Sequence, residues 1–231
     1  MKSLPGLCAA AVLTFLLGAQ AHAAGLSDLS NKDATSGLKQ ALTEGARFAV
    51  ASLGKPDGFL GNPQVRIPLP ENLQRAAGML RGLGMGRYAD ELVATMNHAA
   101  EAAVVEAKPL LVNAVKRMSV QDAKGILTGG EDAATQYFRR TTSAALTQKF
   151  LPVVAKATRK AKLADKYNEF AGMGARFGLV DKRDADLNSY VTRKALDGLF
   201  LMIAEQEKKI RQDPAAAASG IISKVFGAIG K

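Results

Sequence analysis

The sequence has few of the side chains that most often act as nucleophiles, general bases or metal ligands. Its 231 residues contain one cysteine and two histidines. Cys8 and His22 both lie in an N-terminal segment that we expect to be removed, which would leave His98 as the one imidazole of the mature chain. A cysteine nucleophile and a disulfide are then excluded, and any zinc site or histidine-dependent triad must be built around that single histidine.

The N-terminal segment has the features of a secretory signal peptide. Lys2 precedes an apolar run over residues 7–18, and residues 21–23 form a small-x-small cleavage site. A membrane-spanning helix needs about 20 apolar residues, so this run is too short to be one. Cys8 lies at the beginning of the run rather than after it, which argues against a lipid anchor. We predict a signal peptide over residues 1–23 and one exported, periplasmic bacterial domain over residues 24–231.

Positive charge is in excess along the chain. The formal net charge is +10, and removal of Lys2 with the signal peptide would leave +9. In the periplasm the available acidic partners are lipid head groups, lipopolysaccharide phosphates and cell-wall carboxylates. We therefore expect an anionic envelope component or a membrane surface as partner, and no nucleic acid. The alternative is a basic surface that only keeps the protein soluble. Nothing in the sequence specifies an oligomeric state.

Apolar residues recur with a helical period through most of the chain, which predicts an all-α, single-domain multi-helix bundle. Pro109 must kink its helix or begin a new one, because proline lacks an N–H and clashes with the preceding turn. Ser119 and Asp122 resemble a capping box. The predicted helices cover residues 36–53, 73–83, 88–118, 119–127, about 131–149, 152–162, 163–171 and 184–212.

Residues 54–70, hereafter the strap, are not predicted to be helical. They contain four of the eight prolines. Long irregular segments inside a domain are often functional loops. The interpretation we favour is an extended strap that covers one end of the bundle, because its large apolar residues would otherwise be exposed to water. Those residues are Phe59, Leu60, Ile67 and Leu69.

Polar side chains form a stripe on the helix predicted over residues 88–118. The stripe includes Asn97 and Glu101, and His98 is adjacent to it. Such groups can act as general acids and bases, although a solvated helix face is the usual meaning of a polar stripe. Glu101 could instead belong to a buried cluster between helices. The candidate polar cluster consists of Asn97, Glu101, Gln136, Tyr137 and Arg139.

No set of residues predicts a catalytic, cofactor or metal site. Asp184, Asp186 and Asn188 have the spacing of the first calcium ligands of an EF-hand loop. However, Ser189 and Ala195 occupy the positions where that loop requires glycine and glutamate. A capped helix start explains these residues better.

The chain ends in a short amphipathic segment over residues 215–231. A basic helix of this kind can lie in a membrane interface, or it can dock its apolar face on the bundle or on a second subunit. The candidate membrane or partner contacts are Ile221, Ile222, Lys224, Val225, Phe226 and Ile229.

Several strings of residues resemble those of the bacterial domain-of-unknown-function 4197 family of exported proteins. The resemblance covers nearly all of the mature chain and implies export and a helical fold, but it supplies no catalytic residues. His98 is a departure, since arginine is expected there, and an ionic role of that side chain would be weakened. The strings are Leu53-Gly54-Lys55, Asp57-Gly58-Phe59-Leu60, Asn62-Pro63, Ile67-Pro68-Leu69-Pro70, Met96-Asn97, Ala99-Ala100-Glu101, Asp122-Ala123, Ile126-Leu127, Ala133-Ala134-Thr135-Gln136-Tyr137-Phe138 and Phe150-Leu151-Pro152.

These observations favour a non-catalytic, envelope-associated or ligand-binding protein. One alternative is a periplasmic enzyme that uses the helix face around Asn97 and Glu101. Another is a carrier that holds an apolar ligand between its alanine-rich helices.

The first prediction concerns export. Protein purified from its native host should begin at Ala24, within about two residues, because the apolar run and the small-x-small site together fix the position of cleavage. N-terminal sequencing measures this directly. An intact Met1, or a lipid attached to Cys8, would contradict the prediction.

Overall fold

The computed structural model of the protein describes residues 31–70, 74, 86–159, 165 and 186–213. Within these ranges it has six helices and no strand, which confirms the prediction of an all-α, multi-helix fold. No described helix combines the length and the apolar character that a membrane span requires. The helices are α1 (Asn31–Leu53), α2 (Gly86–Val104), α3 (Ala107–Arg117), α4 (Val120–Leu127), α5 (Ala133–Thr158) and α6 (Leu187–Gln212).

Helix α5 lies at the centre of the described bundle and packs mainly against α6 and α2, while α1 packs against α3 and α6. Every fourth residue of α5 is buried, from Ala134 through Phe138, Leu146 and Phe150 to Thr158. Residues four apart lie on one face of an α-helix, so this stripe carries the core contacts along the whole length of α5.

The structure corrects the prediction that one helix ends near residue 149 and another begins at Pro152. Helix α5 instead continues through Pro152 as one unbroken helix. Pro152 is exposed, so the carbonyl group that loses its intrahelical partner faces the solvent side of the helix. Phe150 and Val154 are fully buried on either side of the proline. Packing on both sides therefore outweighs the local cost of proline.

The helix boundaries elsewhere follow from local signals in the sequence. Pro109 lies in the first turn of α3, where its missing N–H costs nothing. Ser119 and Asp122 form the predicted capping box: the Asp122 N–H donates to Ser119 Oγ at 3.0 Å, and the Ser119 N–H donates to Asp122 Oδ2 at 3.1 Å. Asp186 caps α6 by accepting the Ser189 N–H at 2.7 Å, which supports the helix-start interpretation over a calcium loop.

The strap runs between α1 and α2 and contributes to the core. Phe59, Ile67 and Leu69 are buried, and Leu60 is partly buried against the same core. A Cβ added to Gly198 on α6 would lie 2.7 Å from Cε1 of Phe59. Glycine at position 198 therefore lets the aromatic ring of the strap pack directly on the backbone of α6.

A buried carboxylate on α6 caps the beginning of α5. Glu207 is 5% exposed and accepts the N–H groups of Ala134 and Thr135, each at 2.9 Å. Arg211 donates to the same carboxylate at 2.9 Å and also to the carbonyl oxygen of Ile126 at the end of α4. Since the first N–H groups of a helix have no partner within it, Glu207 satisfies donors that would otherwise be buried and unpaired. One ion pair thus connects α4, α5 and α6.

Several predicted segments lie outside the described residues. These are the signal peptide, the candidate contacts of the C-terminal segment and most of the helices predicted over residues 73–83 and 163–171.

The second prediction tests the buried cap. Glu207→Ala should lower the free energy of unfolding by about 3 kcal/mol or more, because it leaves Arg211 and two backbone N–H groups buried without their acceptor. Urea denaturation followed by circular dichroism measures this difference. Glu205→Ala on the same helix is the matched control and should cost less than about 0.5 kcal/mol, since the one contact of its carboxylate with the described residues is a long, exposed hydrogen bond of 3.5 Å from Gln64. Equal losses in the two variants would contradict the role assigned to Glu207.

Candidate functional site

The Asn97 side chain is completely buried and binds the backbone of the strap. Its Oδ1 accepts the N–H of Ile67 at 2.8 Å, and its Nδ2 donates to the carbonyl oxygen of Ile67 at 2.9 Å. Nδ2 also donates to the carbonyl oxygen of Val93 at 2.7 Å. The amide therefore pairs with Ile67 as a neighbouring strand would, although the described residues contain no sheet. Asn97 has no remaining N–H with which to bind a substrate.

Glu101 lies one turn further along α2 and binds the other end of the strap. Its Oε1 accepts the N–H groups of Phe59 at 3.0 Å and Leu60 at 3.2 Å. Glu101 is 6% exposed. The carboxylate therefore accepts hydrogen bonds from two backbone N–H groups of the strap, which is neither a helix nor a strand and so lacks the regular backbone hydrogen bonds of those elements.

The structure does not bring the five residues of the candidate polar cluster together. The Gln136 side chain is exposed and donates to Asp132, while the Tyr137 hydroxyl donates to the carbonyl oxygen of Ala114 at 2.9 Å. Arg139 lies over the ring of Phe200, 4.7 Å from its centroid. Successive helical residues are rotated by about 100°, so Tyr137 points away from Gln136, and each of the three residues of α5 has a different partner. Only Asn97 and Glu101 share a task, and that task is to hold the strap.

A separate cleft opens to solvent where α3, α4 and α5 meet. Its volume is about 420 Å³. Apolar lining comes from Leu110, Ala114 and Ala145 together with the ring of Tyr137. The polar lining residues are Arg117, Asp122, Arg140, Thr141 and Thr142. We name this site the Arg117–Arg140 cleft.

The two guanidinium groups give the cleft its chemical character. Arg140 lies over the ring of Tyr137, 5.9 Å from the centroid, and Arg117 is in the last turn of α3. In the part of the chain that the structure describes, no carboxylate lies within ion-pair distance of either guanidinium. Their planar sets of N–H donors match the oxygens of a phosphate or carboxylate group.

The cleft contains one acidic group, Asp122, whose charge is already stabilised by its neighbours. Hydrogen bonds from the Ser119 hydroxyl and backbone N–H lower the pKa of Asp122, and the charge of Arg140 lowers it further. Burial raises the pKa of Tyr137, and the negative charge of Asp122 raises it further. At neutral pH the cleft therefore holds two cations, one engaged carboxylate and an uncharged phenol.

The sequence prediction included Tyr137 and omitted Arg117 and Arg140. A helical signal for Arg140 was present, because residues 137, 140 and 141 are spaced to share one face of α5. Arg117 carried no comparable signal. It enters the cleft because α3 packs against α5, and this contact depends on the tertiary fold.

Three potential metal ligands also lie close together beside the strap. One ligand atom from each of Asp57, His98 and Glu101 lies within 4.8 Å of the other two. The distance between His98 Nε2 and Asp57 Oδ1 is 3.6 Å. Asp57 is in the left-handed region, at φ 59°, and it is followed by Gly58, where a Cβ would overlap the carbonyl oxygen of Leu53. This turn places the Asp57 carboxylate beside α2.

The fold and these two groups of side chains define an all-helical protein with an internal strap and an open basic cleft. The sequence model of the family described as "Protein of unknown function (DUF4197)" matches residues 28–227. The chain belongs to this family, as the resemblance of its motifs predicted. Neither a curated protein nor a solved structure matches the chain significantly.

The third prediction tests the role of Glu101. Glu101→Ala should lower the free energy of unfolding by about 1–3 kcal/mol, because two buried N–H groups lose their acceptor. Glu101→Gln should cost less, since its amide oxygen can still accept both hydrogen bonds. Guanidinium denaturation of the two variants measures the difference.

Glu91→Ala is the matched control on the same helix, because Glu91 is exposed and its carboxylate pairs, within the described part of the chain, with Arg87 at the surface. It should cost less than about 0.5 kcal/mol. If Glu101→Ala were as stable as this control, the structural role assigned to Glu101 would be wrong.

Proposed function

We propose that this chain is an exported, non-catalytic binding protein of the cell envelope that holds a small anionic molecule in the Arg117–Arg140 cleft. The observation that carries the proposal is the pair of arginines that line the cleft together with apolar side chains, since no carboxylate among the described residues forms an ion pair with either arginine. The signal-peptide pattern over residues 1–23 supports export, and the excess of positive charge supports an acidic partner.

The chemistry of the lining specifies an anion that also has an apolar part. Arginine forms charge-assisted hydrogen bonds to phosphate and carboxylate oxygens. Leu110, Ala114 and Ala145 would contact the apolar part of such a molecule, since burial of apolar surface is favourable without any directional requirement. A volume of about 420 Å³ lies within the usual range of small-molecule pockets. A phospholipid head group with the first carbons of its chains has this chemistry.

The alternative of an enzyme that uses Asn97 and Glu101 gains no support from the geometry. Both side chains bind backbone groups of the strap, and both are buried. A general base must reach the proton that it removes. Asn97 Oδ1 and Glu101 Oε1, which already accept backbone hydrogen bonds inside the bundle, are poorly placed for that task.

The fourth prediction tests the cleft with a soluble anionic lipid. Dihexanoyl phosphatidic acid, kept below its micellar concentration, should bind at least tenfold more tightly than dihexanoyl phosphatidylcholine in isothermal titration calorimetry. Arg117→Gln and Arg140→Gln should each weaken its binding by about tenfold or more, because a hydrogen bond to a charged group contributes about 1.5–3 kcal/mol. Arg47→Gln is the matched control, since it removes an exposed arginine on α1, outside the cleft.

The outcomes separate the possible sources of the anion. Inorganic phosphate that binds as tightly as the lipid would indicate a site for a free phosphorylated molecule rather than a lipid. Sedimentation with anionic vesicles then tests whether the same arginines bind a membrane surface. Equal binding of the anionic and the neutral lipid, or equal effects of all three arginine variants, would contradict the proposal.

A further inference from the structure

Asp57, His98 and Glu101 combine the ligand types that bind zinc in proteins. His98 and Glu101 are three residues apart on α2, so their side chains project from neighbouring positions on one face of the helix. Asp57 reaches the same place from the strap. The three ligand atoms lie within 4.8 Å of one another, and they comprise one imidazole nitrogen and two carboxylate oxygens. Zn²⁺ is commonly bound by nitrogen and oxygen ligands of this type.

The distances are close to those that a zinc ion imposes. Bonds of about 2.0–2.2 Å in a tetrahedral arrangement place two ligand atoms about 3.4 Å apart. His98 Nε2 and Asp57 Oδ1 are 3.6 Å apart. Their side chains are 55% and 67% exposed, so both can rotate to bring the three ligand atoms, which already lie within 4.8 Å of one another, to bonding distance from one ion. The protein supplies three ligands, and the open side leaves the fourth position to water.

Glu101 is the fixed member of the group. Both of its hydrogen bonds, from Phe59 and Leu60, are made to Oε1. Its second oxygen, Oε2, accepts none from the described residues and can bind a cation. Hydrogen bonds of this kind orient a ligating carboxylate before the metal binds. Glu101 thus connects the metal ligands to the backbone of the strap.

We infer that Asp57, His98 and Glu101 form a binding site for a divalent transition-metal ion of the zinc type, which fastens the strap to α2. The ion neutralises two carboxylates and bridges residues 57 and 101, which belong to different segments. Binding requires the folded arrangement, so the metal raises the stability of the fold by mass action. The site is separate from the Arg117–Arg140 cleft and does not depend on the function proposed for it.

The fifth prediction uses the untagged chain as the cell produces it, treated with a chelator and then dialysed. Titration with ZnCl₂ should show one ion bound per chain and a higher melting temperature, whereas MgCl₂ should have little effect because magnesium prefers an all-oxygen octahedral shell. His98→Ala and Asp57→Asn should each weaken zinc binding by about tenfold or more. Asparagine suits position 57 because it tolerates the left-handed conformation.

Two further variants keep the test independent of folding. His98→Arg places a permanent cation beside Asp57 and should remain folded while it loses zinc binding. Glu91→Gln removes an exposed carboxylate from the same helix and should leave zinc binding unchanged. Circular dichroism checks that each variant is folded. The inference is overturned if zinc does not bind, or if its affinity is the same in His98→Ala as in the unchanged protein, since His98 and Asp57 would then form only an ion pair.

Discussion

This structure depends on satisfying the buried backbone groups of the strap, and the hydrogen bonds between the Asn97 side-chain amide and the backbone of Ile67 are the clearest example. A chain segment without helix or sheet partners enters the core, and its backbone N–H and C=O groups must still be satisfied. Asn97 satisfies both groups of Ile67, Glu101 accepts from Phe59 and Leu60, and the Tyr190 hydroxyl donates to the carbonyl oxygen of Pro68 at 2.8 Å. With these groups satisfied, the strap can bury Phe59 and Ile67 as core residues. Burial also raises the pKa of Tyr190 to about 12, so this donor stays protonated at alkaline pH as well.

The same constraint governs the beginning of α5. The side chain of the N-cap residue Asp132 accepts no backbone N–H of α5, and Glu207 on α6 accepts from the first turn instead. A cap supplied by a distant helix connects the position of one helix to the start of another. The Glu207–Arg211 pair extends this connection to the end of α4. Buried polar groups in this bundle therefore determine how its segments are arranged relative to one another.

This use of polar residues changes where a function should be sought. The most prominent polar residues of α2, Asn97 and Glu101, are largely engaged with the backbone of the strap. The guanidinium groups of Arg117 and Arg140 instead line an open cleft, where a ligand could reach them. His98 shares a property with each group: like the arginines it is exposed, and like Asn97 and Glu101 it contacts the strap, through Asp57. The family resemblance implies arginine, a permanent cation, at position 98. This chain has histidine there, whose imidazole is able to bind a metal ion.

The sequence by itself determined the helical class, the break at Pro109, the capping box at Ser119 and the irregular strap. Each of these depends on local chemistry, namely apolar periodicity, the missing N–H of proline, and a side chain that reaches its own backbone. The sequence could not determine that α5 passes through Pro152, that Glu207 caps α5, or that Arg117 and Arg140 share a cleft. These features depend on which helix faces meet. Packing between residues far apart in the chain is strong enough to override a local signal, as it does at Pro152, and only the tertiary structure specifies it.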